Sequence, residues 1–167
     1  MSATLDAHEL RRLMARWVTG VAVVTSRDET GPRGATTNAL TSLSLDPLLV
    51  LVCLDRGSNT LEAVRASGRF CLNVLAADQE ELARRFATKA SGEEKLAGVP
   101  HTLVDGVPVL GGVVAWLVCE LERELEGGDH AILIGRPLET GGDPDAQPLL
   151  FYGGRYHAAS LEELGGE

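Results

Sequence analysis

The sequence predicts a mainly β protein, a closed or partly closed antiparallel barrel with a few helices. Three observations predict it. Apolar runs of strand length follow one another without regularly alternating helices, which argues against a doubly wound sheet. The last four runs are separated by short turns, and GGDH between Glu126 and Ala131 is a good hairpin connection. No glycine-rich dinucleotide fingerprint follows any strand, and neither a P-loop nor a nucleophile-elbow serine occurs.

Taken in order, residues 6–16 suit an amphipathic helix, with Leu10, Leu13, Met14 and Trp17 at helical spacing. The segment VTGVAVVTSRD, residues 18–28, reads as a strand ending at the turn-rich DETGPRG. Gly20 near its start marks a bulge or a close backbone approach, or is there by chance. Further strands are expected at 34–38, 48–54, 69–75, 113–126, 130–139, 149–152 and 155–158, interrupted by helices over 60–66 and 78–88. The last four strands should pair antiparallel. The loop 140–148 and the tail after Ser160 are the expected mobile regions.

With 167 residues and 44% hydrophobic content, the chain fits one compact domain over 1–167, its core at about 10–158. A net charge of -9 argues against nucleic acid or an anionic membrane as partner, because affinity for either needs clustered Lys and Arg. An anionic ligand must therefore be met by local donors. No apolar run has spanning length and the N-terminus lacks a signal-peptide core, so a soluble, cytoplasmic protein is expected. Cys53, Cys71 and Cys119 are widely spaced in apolar runs and read as buried thiols; without close Cys or His pairs, no metal site is expected.

The stretch from Thr36 to Thr60 is the most suggestive. Thr36, Thr37, Asn38, Thr41, Ser42 and Ser44 alternate with Ala39, Leu40, Leu43 and Leu45, so one side of an extended segment is polar while the other packs. At its far end Ser58, Asn59 and Thr60 stand where a helix begins. Unpaired N–H groups and partial positive charge make such a point a ready anion pocket. The plain reading of the same residues is an N-cap, with Asn59 followed by Glu62. Phe86 and Lys89 close the helix of EELARRFATKASG, where Lys89 with Ser91 offers a cation and a hydroxyl to a phosphate, or where Phe86 is core and Lys89 a solvated terminal charge. Asp129 and His130 occupy the GGDH turn, in which His is unusual. His8, His101 and His157 form no pattern with carboxylates, so no nucleophile–base triad can be drawn.

These segments, in this order, resemble the short-chain flavin reductase family. The matching motifs are TGVAVVT (19–25), GATTNALTSLSLDP (34–47), LVCLDRGSNT (51–60), SGRFCLNVL (67–75), LARRFATK (82–89), GDH (128–130) and PLLFYGGRYH (148–157). The resemblance implies an FMN-binding split β-barrel with Greek-key connections, a homodimer, and flavin near the subunit interface. It implies NAD(P)H:flavin oxidoreductase activity, NADH being favoured over NADPH, with reduced FMN or FAD supplied to a separate monooxygenase. By position, Thr37, Asn38, Ala39, Ser42, Leu43 and Ser44 would line the flavin ring and ribityl chain, with the backbone of Cys53, Leu54 and Asp55. Ser58, Asn59 and Thr60, joined by Phe86 and Lys89, would hold the phosphate. His130 would orient the nicotinamide nucleotide as the catalytic residue, with Tyr152, Arg155 and Tyr156 close by. Leu48 and Leu40 depart from the family pattern, and Leu40 bears on the shape of the ring pocket. The alternative is a flavin-binding split barrel with an oxidase or carrier role.

Overall fold

The computed structural model describes residues 5–159; the tail after Ser160 lies outside them. The first helix, α1 (Ala7–Met14), is capped by Asp6, whose side chain accepts from the Glu9 N–H. Its apolar stripe does not pack on the chain's own core: Leu10, Leu13 and Met14 are about half exposed, and Trp17 is 69% exposed.

The strand expected over 18–28 is two strands, β1 (Thr19–Gly20) and β2 (Ala22–Asp28), which belong to different sheets. Nothing crowds Gly20, so its role is at this change of sheet and not a close backbone approach. Next come β3 (Gly31–Thr37), β4 (Leu40–Leu45) and β5 (Leu48–Asp55). The hydroxyl-rich segment is thus the end of one strand and the whole of another. Leu40 packs against the core as expected, but Leu43 and Leu45 do not. A register shift between Ser42 and Ser44 breaks the alternation, leaving Leu43 44% and Leu45 81% exposed.

Helix α2 (Asn59–Ser67) is capped by Ser58, not Asn59: the Ser58 hydroxyl accepts from the Thr60 N–H, and Gly68 at φ 67° ends the helix. Strand β6 (Arg69–Val74) is followed by α3 (Glu80–Phe86), shorter than the 78–88 expected, and by α4 (Gly92–Leu96). The next two strands, β7 (His101–Val104) and β8 (Val107–Leu110), were not anticipated. They form a hairpin across Asp105 and Gly106, both at positive φ. The buried Asn73 side chain ties it to the barrel, accepting from Leu110 N–H at 2.8 Å and donating to Val23 O at 3.0 Å.

The chain ends with β9 (Ala115–Gly127), β10 (His130–Gly141), β11 (Leu149–Tyr152) and β12 (Arg155–Ala158). These pair as two antiparallel hairpins, β9 with β10 and β11 with β12. They do not form one continuous series, because β11 pairs with β1 in a separate three-stranded sheet.

The main sheet has seven strands in the order β3-β2-β6-β9-β10-β5-β4, every neighbouring pair antiparallel. Its edge strands are consecutive in the chain, linked only by Asn38 and Ala39. So short a link requires the sheet to curl until its edges approach. Cys53 N–H donates to Ala39 O at 2.9 Å and the Thr37 hydroxyl to Cys53 O at 3.3 Å, but β3 and β4 form no ladder. The result is a barrel left split between β3 and β4. The link from β5 to β6 passes over the positions of β9 and β10, a skipping connection of Greek-key type. Leu61 and Val64 of α2 seal the interior against Val24, Val52, Phe70, Leu72 and Leu133. A second cluster, with Val21, Leu75, Ala83, Phe86 and Leu149, lies under α3 and the small sheet.

Candidate functional site

The helix start at Ser58 opens onto a cavity of about 870 Å³. One wall is the loop from Asp55 to Thr60, folded back on itself: Ser58 N–H reaches Asp55 O at 3.0 Å, and Gly57 N–H reaches the Asp55 carboxylate at 2.7 Å. A second wall is β3 from Arg33 to Thr36, and the third is the turn from Phe86 to Gly92 with Lys95 behind it. The expected phosphate set, Ser58, Asn59, Thr60, Phe86 and Lys89, therefore converges on one space from two distant segments. Asp55 joins the rim.

Local packing fixes these walls. Phe86 is buried, and its ring lies so close to Gly34 that a β-carbon there would collide with it. The Thr36 hydroxyl donates to Ala83 O at 2.6 Å, holding α3 to β3. Lys89 is exposed on the rim. Ser91 is not free to serve a ligand as expected: its hydroxyl is committed to Glu94 in a capping box at the start of α4. Arg33 and Lys95 also line the space, and neither was singled out from sequence. Within an acidic chain, this cavity carries three cations against one carboxylate, Asp55.

Thr37 and Asn38 line a smaller hollow, about 270 Å³, with Trp17, Thr19, Gly20 and Leu40. Thr36 and Thr37 are adjacent, so the two spaces lie on either side of the end of β3. The Thr19 hydroxyl is buried here without a hydrogen-bond partner among the described residues, a group that a polar ligand edge would satisfy. Ser42, Leu43 and Ser44 stand at the β4 irregularity, outside the lining of both spaces. Leu54 turns its side chain into the core at 3% exposure, leaving only its backbone for a ligand. Ala39 already gives its carbonyl to Cys53 N–H. Burial raises the Cys53 thiol and pushes Cys71 and Cys119 up to about 12, so none is activated.

His130 stands opposite Asp55 in the β10–β5 register, and Arg56 N–H reaches Asp129 O at 3.1 Å, so the GDH turn abuts the Asp55–Ser58 loop. Nδ1 of His130 is 2.8 Å from the Asp129 carboxylate, which this hydrogen bond and the neighbouring charge hold below its usual range. Tyr152, Arg155 and Tyr156 lie on the β11–β12 hairpin beside β1. Tyr156 packs on Phe151 at 5.4 Å, with the Arg84 guanidinium 5.1 Å above its ring. No hydrogen bond or ring contact joins His130 to this hairpin among the described residues. Nor do any three His, Cys, Asp or Glu gather as metal ligands among them.

A helix N-terminus, converging hydroxyls and cations, and a second hollow with an unpaired hydroxyl suit a phosphate on a flat polar ring system. By fold, then, this is a split antiparallel barrel, with a cavity whose donors and cations suit an anionic ligand. The family described as "Flavin reductase like domain" matches residues 14–160, and the chain belongs to it. It is similar to a flavin reductase of Pseudomonas putida, 38% identical over 156 residues, covering 92% of this chain and 91% of that protein. The flavin-dependent monooxygenase reductase subunit HsaB of Mycobacterium tuberculosis is 35% identical over 168 residues, covering 98% and 88%. The solved NADH:FAD oxidoreductase SgcE6 of Streptomyces globisporus, in complex with NAD and FAD fragments, superimposes with a TM-score of 0.87 at 36% identity, covering 95% and 98%.

Proposed function

We propose that this protein is an NADH-dependent flavin reductase that supplies reduced flavin to a separate oxygenase component. The observation that carries this reading is the convergence of Ser58, Asn59, Thr60, Phe86 and Lys89 on one cavity, in a chain whose relatives are named for this activity. FMN or FAD fits the residues present: the helix N-terminus and the cations would hold its phosphate, with Thr37, Asn38 and Thr19 facing the ring. The remaining ring-side residues would be Ala39, Ser42, Leu43 and Ser44, with the backbone of Cys53, Leu54 and Asp55. When bound, flavin supplies the acceptor for the hydride of a reduced nicotinamide. The protein's part is to hold two flat rings in register and to exclude side reactions, so it needs no nucleophile or acid–base pair.

His130, beside Asp55 and oriented by Asp129, would position the nicotinamide donor from the rim. The β11–β12 hairpin with Tyr152, Arg155 and Tyr156 shares no hydrogen bond or ring contact with it among the described residues. A homodimer reconciles the two, and the exposed stripe of Leu10, Leu13, Met14 and Trp17 supports one. No helix among the described residues is long and apolar enough to cross a membrane, and the cytoplasm is the compartment this reading implies.

The test is oxidation of NADH and NADPH by purified protein with FMN, FAD or riboflavin added in turn. Rapid flavin-dependent oxidation of NADH is expected. Flavin binding without turnover for any pair would instead make the protein a carrier or an oxidase.

A further inference from the structure

Lys95 is the one lysine or arginine buried among the described residues, at 7% exposure. Its ammonium donates to Gly34 O at 2.9 Å and Phe86 O at 3.2 Å, and no carboxylate among the described residues stands within ion-pair distance. A buried charge is ordinarily paired, because desolvation is otherwise uncompensated. Hydrogen bonds to two carbonyls orient this ammonium without neutralising it, and desolvation lowers its proton affinity. An ammonium has three N–H donors, of which two are used.

Its place is the wall of the large cavity. Phe86 ends α3, so its carbonyl belongs to the partly negative end of that helix and would repel an anion in the cavity. Lys95 covers this carbonyl and bolts the Phe86–Gly92 turn, which carries Lys89, onto β3.

We infer that Lys95 is a positioning residue whose missing counter-charge is the phosphate of the bound ligand: it reverses the electrostatic sign of the α3 end and makes the cavity discriminate for phosphate-bearing over neutral flavins. This inference rests on the flavin reading above for the ligand's identity, but not for its charge.

The experiment measures FMN and riboflavin affinity, by quenching of flavin fluorescence, for parent, Lys95→Met and Lys95→Arg, with melting temperatures of the unliganded proteins. Met removes a desolvated charge but also the donor to Gly34 O and Phe86 O, so its unliganded melting temperature should fall modestly while unfolding stays cooperative. Its FMN affinity should drop by about tenfold or more, its riboflavin affinity by less than about twofold, and Arg should restore most of the FMN affinity. Unchanged FMN affinity in Lys95→Met, or equal losses for FMN and riboflavin, would overturn the inference. If the parent binds neither flavin, the flavin reading fails. Stabilisation by inorganic pyrophosphate then decides Lys95: a shift in the parent that is lost in Lys95→Met supports its role, and an equal or absent shift overturns it.

Discussion

Two side chains of the same type, six positions apart, play different parts at this site. Lys89 extends from an exposed turn, where its charge is screened, whereas Lys95 reaches the same cavity from beneath and is buried. Polar GEEKL, the α4 sequence, suggests only a solvated helix, so nothing local announces that its lysine is inside. His130 presents the opposite case. Its turn was legible from GGDH, and the structure adds the Asp129 carboxylate that orients its ring. His130→Ala should raise KM for NADH severalfold with a smaller change in kcat, because the ring positions the donor; steady-state kinetics at saturating flavin will measure the split, and an unchanged KM would remove His130 from the site. Away from the site, Glu120 accepts from Arg136 at 2.7 Å and Arg69 at 2.9 Å, and those hydrogen bonds hold its carboxyl below its ordinary 4.5. A depressed carboxyl stabilises the fold fully above its ordinary value and loses that stabilisation as pH falls through the lower, folded value. The melting temperature should accordingly fall more steeply below about pH 4.5 in the parent than in Glu120→Gln; parallel acid limbs would show that solvent screening cancels the pairing.

Among the elements, α2 shows how a capping motif and an anion site are one structure. Ser58 satisfies the Thr60 N–H, but other first-turn donors are left by the geometry of any helix start. Ser58→Ala should therefore lower stability by about 1 kcal/mol through the lost cap, read as a reduced melting temperature, and weaken FMN more than riboflavin. Equal weakening would leave Ser58 a cap alone. Helix α3 stops at Phe86 although LARRFATK continues in helical pattern: Ala90 N–H turns to the Thr88 hydroxyl at 3.4 Å, and the Phe86 carbonyl accepts from Lys95. The β7–β8 hairpin was legible, since Asp105-Gly106 between apolar alternations is a strong turn signal. It was missed because its strands are short, four residues each.

At the scale of the whole molecule, one group of exposed apolar side chains comprises the α1 stripe, Trp17 and Val18, with Tyr152 on the hairpin whose Gly153 N–H bonds Ala15 O at 2.8 Å. Leu13→Glu together with Trp17→Glu should convert a dimer to a monomer in analytical ultracentrifugation, with flavin turnover falling in parallel. A monomeric parent would end the dimer proposal and leave His130 and the β11–β12 hairpin as separate surfaces. The net charge of -9 and the cationic cavity are compatible because a ligand experiences the nearest groups far more strongly than distant, screened ones.

The sequence by itself determined the β-rich class, most strands and helices, and the order of motifs that places the chain in its family. Each of these rests on local periodicity, turn chemistry or short strings of residues. Tertiary structure alone decided that the strand at 18–28 divides between two sheets, that the last two hairpins part company, and that Leu43 and Leu45 face outward. It also decided which candidate residues share a cavity, bringing Ser58, Asn59 and Thr60 to Phe86 and Lys89. Lys95 shows the reason most directly: its charge is buried by a contact with Gly34, 61 residues away. Such contacts depend on how the curled sheet brings separated segments together, information that no window of neighbouring residues contains.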